Sequence, residues 1–251
     1  MAIVVVVLAV IVGVTFAVTR GGDSKVVASP TTTTAPPTTI ATTTTTPKPI
    51  ASYAADPLGD HVDLYTAPGD PAPFDTLSNP TPENVPLAMM WIADGPSGWA
   101  KVQYAKRPNE STAWVPRGQI SLRPVENRIA VSISQHTLTV FRGETQDVVF
   151  TTQVATGKDS SPTPTGHFFV DVIVDLIDKT GPYGAYQVSV AGFSDVFQTF
   201  GGGAGQIAIH GTNQPNLIGN DVSNGCVRMS NQDITAMVPL IRTGAPVEIT
   251  A

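Results

Sequence analysis

From residue 53 to the C-terminus, apolar side chains come in short runs broken by Pro, Gly, Asn and Asp, a punctuation that favours strands and turns over long helices. Val62 to Tyr65, Leu87 to Ile92, Gly98 to Tyr104 and Thr112 to Val115 are predicted strands, and the 71 residues from 53 to 123, which show no helical periodicity, are predicted to form a small β-barrel. Beyond residue 127, Ile129, Val131 and Ile133 alternate with polar residues and Leu138 to Phe141 repeats the pattern, which reads as a hairpin. Further strands are predicted at Val148 to Val154, His167 to Val172, Ala185 to Val190 and Gln206 to Ile209. One helix is predicted from Asn231 to Leu240, with Ser230 as N-cap, Asp233 near its positive end, and Pro239 and Gly244 stopping it. Pro246 to Thr250 is predicted as a closing edge strand, because proline has no N–H to give a central ladder.

The N-terminal part is of another kind. Ala2 to Thr19 is almost wholly apolar and is closed by Arg20; eighteen residues of helix span about 27 Å, close to the hydrocarbon thickness of a bilayer. Residues 1–20 are predicted to be a retained membrane anchor, with a cleaved signal as the alternative. Residues 21–52 follow as a Thr/Pro-rich linker, with eleven Thr between positions 31 and 50, too poor in apolar surface to fold alone. The predicted placement is single-pass in the cell membrane, with everything after the linker extracytoplasmic. Formal charge is +2 over residues 1–52, −4 over 53–126 and −4 over 127–251, giving the net −6 of the chain; no basic stripe suggests nucleic acid.

The chemistry concentrates between Gln206 and Met229. Cys226 is the only cysteine, so no intrachain disulfide is possible, and His210 lies sixteen positions upstream. A neighbouring imidazole lowers a thiol's pKa and takes its proton, and the pair needs to meet only in space. Ile207 to Ile209 reads as a buried strand carrying His210 to its end, and Gly225 lets the backbone approach closely, so the amides of Gly225 and Cys226 are candidate oxyanion donors. Read alone, Cys226 is equally a small buried hydrophobe and His210 a strand-end surface residue. His61, His136 and His167 are isolated and read as incidental. His210, Cys226 and Asp221 match zinc-site spacing poorly, so neither metal nor cofactor is expected.

These residues resemble the catalytic domain of the L,D-transpeptidases, cysteine enzymes of bacterial peptidoglycan. The matching positions are His210, Gly211, Ser223, Gly225, Cys226, Val227 and Arg228, with Pro162 to Gly166 and Gly181 to Gly184 in support; Asn224 stands where the family usually has a second histidine. The resemblance covers residues 127–251 and implies a mixed β-sandwich with a short helix. It implies Cys226 as nucleophile and His210 as general acid/base, with the carbonyl of Gly211 orienting the imidazole. Ser223, Asn224, Gly225 and Arg228 would then serve the oxyanion or the substrate, Arg228 as a carboxylate clamp or else an internal ion pair. The implied partners are peptidoglycan stem peptides, cross-linked through a thioester. A hydrolase using water in place of the amine, and a wall-binding protein weakened by Asn224, are the alternatives. Residues 53–123 resemble the bacterial SH3-like modules of wall enzymes, and their Trp91, Trp99 and Trp114 read as core rather than as a ligand platform. The fold class expected is therefore mainly β: an SH3-like barrel followed by the catalytic sandwich.

Overall fold

The computed structural model describes residues 49–251. The predicted anchor and all but the last four residues of the Thr/Pro tract lie outside the described residues, among which no helix is long and apolar enough to cross a membrane. The described residues belong to one compact unit.

Seven strands come first: β1 (Ser52–Pro57), β2 (His61–Leu64), β3 (Asp75–Ser78), β4 (Met89–Asp94), β5 (Trp99–Gln103), β6 (Thr112–Pro116) and β7 (Ile120–Val125). They make a five-stranded antiparallel sheet in the order β6-β5-β4-β1-β7, and a β2-β3 ribbon whose Val62, Leu64 and Leu77 share a core with Met89, Val102 and Val115 of the sheet. Side chains alternate across a strand. Because Ala100, Val102, Ala113 and Val115 face that core, Trp99 and Trp114 fall on the opposite face, half-buried, with Trp99 edge-on to Tyr65 at 5.0 Å. Trp91 packs only on the margin, so none of the three tryptophans is the core residue expected. The sheet also runs past residues 53 and 123 at its two ends, since Ser52 pairs with Val125.

Glu126 alone separates β7 from β8 (Asn127–Ser132). Then follow β9 (Thr137–Arg142), β10 (Val148–Gln153), β11 (Thr156–Gly157), β12 (Gly166–Asp175), β13 (Tyr186–Phe193), β14 (Gln206–His210), β15 (Asp221–Ser223), β16 (Val227–Arg228), α1 (Asn231–Met237) and β17 (Pro246–Thr250). Eight of these strands form one sheet in the order β10-β9-β8-β17-β12-β13-β14-β16, and β11 pairs with β15 beside it. The fold is mainly β with one short helix, as expected. β17, however, is central rather than an edge strand: it is parallel to β8 and antiparallel to β12. Pro246 is tolerated because it is the first residue of the strand, and pairing with β8 begins only at Val247. Ser230 Oγ accepts the Asp233 amide at 3.0 Å and starts α1, which drives Ile234 and Met237 into the main core.

The two sheets share that core. Ala54 of β1 and Val125 of β7 are buried in the cluster built by β8, β9, β12 to β14 and α1. Ser52 Oγ donates to the Gly244 carbonyl at 2.9 Å, and a Cβ at Gly244 (φ +81°) would lie 2.5 Å from that of Ala54.

Candidate active site

β14 and β16 run parallel at one end of the large sheet, with Ile209 opposite Val227 and His210 opposite Arg228. Ile209 and Val227 are fully buried, so the alternation turns His210 and Arg228 to the other face. The same register carries Cys226, one residue before β16, level with Ala208 on the face that His210 uses. His210, Cys226, Asn224 and Arg228 all line one cavity of about 220 Å³.

His210 is 3% exposed. Its Nδ1 lies 2.6 Å from the Gly211 carbonyl, which can only accept, so Nδ1 carries the proton and Nε2 keeps its lone pair. Burial lowers the imidazole pKa to about 4; the Gly211 bond raises it, and the Arg228 charge lowers it further. Burial pushes the Cys226 thiol up, with a backbone hydrogen bond from Ala208 and the Arg228 charge pulling the other way. This direction runs opposite to the acidified thiol that the sequence suggests. Burial is the largest influence on both groups and favours the uncharged form of each, a thiol and an imidazole lining the same cavity.

The turn before Cys226 brings a second difference. Gly225 has φ +114°, and its amide donates to Ser223 Oγ at 3.0 Å; that hydroxyl in turn donates to the Cys226 carbonyl at 2.6 Å. The Gly225 amide is therefore engaged, and of the two expected oxyanion donors the Cys226 amide is left. Ser223 is fully buried and braces the turn from within. The internal ion pair considered for Arg228 is absent among the described residues: the guanidinium lines the cavity, and its buried Nε has no hydrogen-bond partner.

Several residues enter that sequence reasoning did not assign. Tyr183, within the Gly181 to Gly184 stretch, places its ring 4.7 Å from that of His210. Asn231, the first residue of α1, accepts the amides of Thr212 and Ala185 on Oδ1 at 3.1 and 3.3 Å, fixing the chain just after His210. Its position next to the Ser230 cap was the one available signal. His136 is not isolated: its Nε2 lies 3.0 Å from Asp221 Oδ1, and Thr156 also donates to that carboxylate, so Asp221 anchors β15 rather than facing Cys226. No group of three or more His, Cys, Asp or Glu gathers as a metal site among the described residues.

Residues 126–249 match the family model described as YkuD, the L,D-transpeptidase catalytic domain. Over 124 residues the chain is 39% identical to the YkuD protein of Bacillus licheniformis, covering 49% of this chain and 65% of that protein. Over 121 residues it is 38% identical to the YkuD protein of Bacillus subtilis, covering 48% and 64%. The chain thus spans slightly under two thirds of the length of these two relatives. An L,D-transpeptidase structure from Mycobacterium smegmatis has 18% identity and a TM-score of 0.40, over 65% of this chain and 99% of that one.

Proposed function

We propose that the domain from residue 127 onward cross-links peptidoglycan stem peptides through a thioester on Cys226. The observation that carries this reading is the single cavity in which Cys226 meets a His210 whose tautomer is fixed by Gly211, inside the stretch that matches this family model. His210 Nε2 takes the thiol proton as Sγ attacks the carbonyl of the L-to-D bond in a stem tetrapeptide. The Cys226 amide stabilises the oxyanion, and Arg228, with no carboxylate of its own, holds a carboxylate of the stem. Collapse breaks the C–N bond, the proton passes from His210 to the leaving amine, and D-alanine departs. An amine of a second stem then attacks the thioester, gives its proton to His210, and releases Cys226 with the proton returned to sulfur. The apolar segment at 1–20 and the Thr/Pro tract support placement of this chemistry on the outer side of the cell membrane, and residues 53–123 support the role of an SH3-like wall-associated module. Mass spectrometry of stem tetrapeptides incubated with the protein tests the reading. A cross-linked dimer with loss of D-alanine supports it, a trimmed tripeptide assigns the hydrolase, and unchanged tetrapeptide rejects both.

A further inference from the structure

One wall of the active-site cavity is built by the segment from Ser194 to Gly205, which contributes Ser194, Phe197, Phe200 and Gly205 to the lining. Left to itself this segment is weakly specified. Gly201, Gly202 and Gly205 all have positive φ and Phe200 is 43% exposed; the segment is closed at its base by the Ser194 amide donating to the Gly205 carbonyl at 2.9 Å, and within it Ser194 Oγ accepts the amides of Val196 and Phe197, Phe200 and Gly203 exchange a pair of backbone bonds, and the Phe197 and Phe200 rings lie 5.6 Å apart.

Its outward side is held by the β5–β6 connection of the N-terminal sheet. Arg107 Nη2 donates to the carbonyls of Phe197 at 2.8 Å and Ala204 at 3.3 Å, and the guanidinium lies 5.1 Å over the Phe193 ring. Arg107 has no ion pair among the described residues, so these carbonyls are its charge-assisted partners. Asn109 brackets Phe193 from both sides: its Oδ1 accepts the Phe193 amide at 2.8 Å and its Nδ2 donates to the Phe193 carbonyl at 2.9 Å. Gly205 permits this close packing, since a Cβ there would stand 2.1 Å from the Phe197 carbonyl oxygen and 3.1 Å from Arg107 Nη2. The β5–β6 connection that carries Arg107 and Asn109 is itself fixed to β12. Gln103 Nε2 donates to the His167 carbonyl at 2.8 Å, and Glu110 Oε1 accepts the His167 amide at 2.6 Å. The two residues therefore reach the cavity wall from a pinned platform.

We propose that Arg107 and Asn109 are positioning residues by which the N-terminal sheet holds the 194–205 wall of the Cys226 cavity in its substrate-ready place. The inference rests on the transpeptidase reading for its effect on substrate, but not for its effect on the wall. In the full-length chain, Arg107→Ala and Asn109→Ala are expected to speed amide hydrogen exchange across 194–205 by about tenfold and to leave β8, β9 and β17 within about twofold. With a stem tetrapeptide as donor, KM is expected to rise about tenfold while kcat stays within about threefold, and Arg107→Lys, which keeps the charge, is expected to recover part of both changes. Unchanged exchange at 194–205 in both alanine variants overturns the proposal, and so does equal acceleration in β8, β9 and β17, because the contacts would then serve global stability only. Faster exchange at the wall with unaltered KM overturns the role in substrate binding. A wild-type chain that shows the exchange pattern yet never turns over tetrapeptide counts against the transpeptidase reading and leaves the positioning of the wall supported.

Discussion

Replacing Asp171 by Asn separates two opposing pH dependences of stability. Asp171 sits at a β-bulge of β12, where Gln206 Nε2 donates to its Oδ2 at 2.7 Å and its buried Oδ1 has no partner. Burial raises its pKa from 3.8 to about 6, the Gln206 bond opposing. The folded protein therefore keeps a proton that the unfolded chain loses. This contribution is fully present below pH 3.8 and is lost as pH rises through about 6, a difference of about 3 kcal/mol. His210 has the reverse sign. Its pKa falls from 6.5 to about 4, so its contribution is present above pH 6.5 and is lost as pH falls through about 4, again by about 3 kcal/mol. Between pH 4 and 6 the two nearly cancel in the wild type. Asp171→Asn removes the falling limb and keeps a polar partner for Gln206, so its stability should climb by about 3 kcal/mol from pH 4 to 6.5 while that of the wild type stays nearly level. Carboxylates held low, such as Asp63 and Asp221, contribute equally to both proteins and drop out of the comparison. Urea midpoints of residues 49–251, followed by tryptophan fluorescence at half-unit pH steps, measure the difference. Parallel profiles for wild type and variant would refute the desolvation of Asp171, and a variant whose stability falls as pH rises would refute that of His210.

Other expectations are local. Asn224→His should raise the rate of thioester formation only about tenfold across pH, because Asn224 keeps hydrogen-bonding capacity without a proton to give; a gain beyond a hundredfold would show that His210 is an incomplete base. Gly184→Ala should cost about 2–4 kcal/mol in urea unfolding, since its Cβ would lie 1.9 Å from Asn231 Oδ1 and 2.7 Å from the Gly211 backbone at φ +66°; a loss below 0.5 kcal/mol would mean that the brace on Gly211 is soft. A fragment beginning at Asn127 should fold poorly, because it lacks Ala54 and Val125 from the shared core; cooperative unfolding with the midpoint of residues 49–251 would contradict that shared core.

The strand pattern and the meeting of His210 and Cys226 at one cavity were legible because both are local. Alternation along β8, β9, β13 and β14 is written in consecutive residues, and the Ile207 to Gly211 and Ser223 to Arg228 runs carry His210 and Cys226 to one face without distant help. What was missed depends on partners far along the chain. β1 reads Ser-Tyr-Ala-Ala-Asp-Pro and becomes a strand because β4 and β7 flank it. Pro246 argued for an edge, whereas its place at the start of β17 lets the strand sit centrally. The engagement of the Gly225 amide by Ser223 Oγ is a side-chain contact that sequence does not reveal. Arg107 meets Phe197 and Ala204, and Asn109 meets the adjoining Phe193, some 84 to 97 residues away, beyond any local signal.

The most direct measurement is the intact mass of the protein after brief mixing with a stem tetrapeptide and no acceptor, with the adduct located by peptide mapping. Wild type is expected to gain the mass of the tetrapeptide minus D-alanine on Cys226, to lose it when an amine acceptor is added, and to show no adduct as Cys226→Ala or His210→Ala. An acyl adduct on another residue, or cross-linked product formed by Cys226→Ala, would contradict the assignment of Cys226 as the nucleophile.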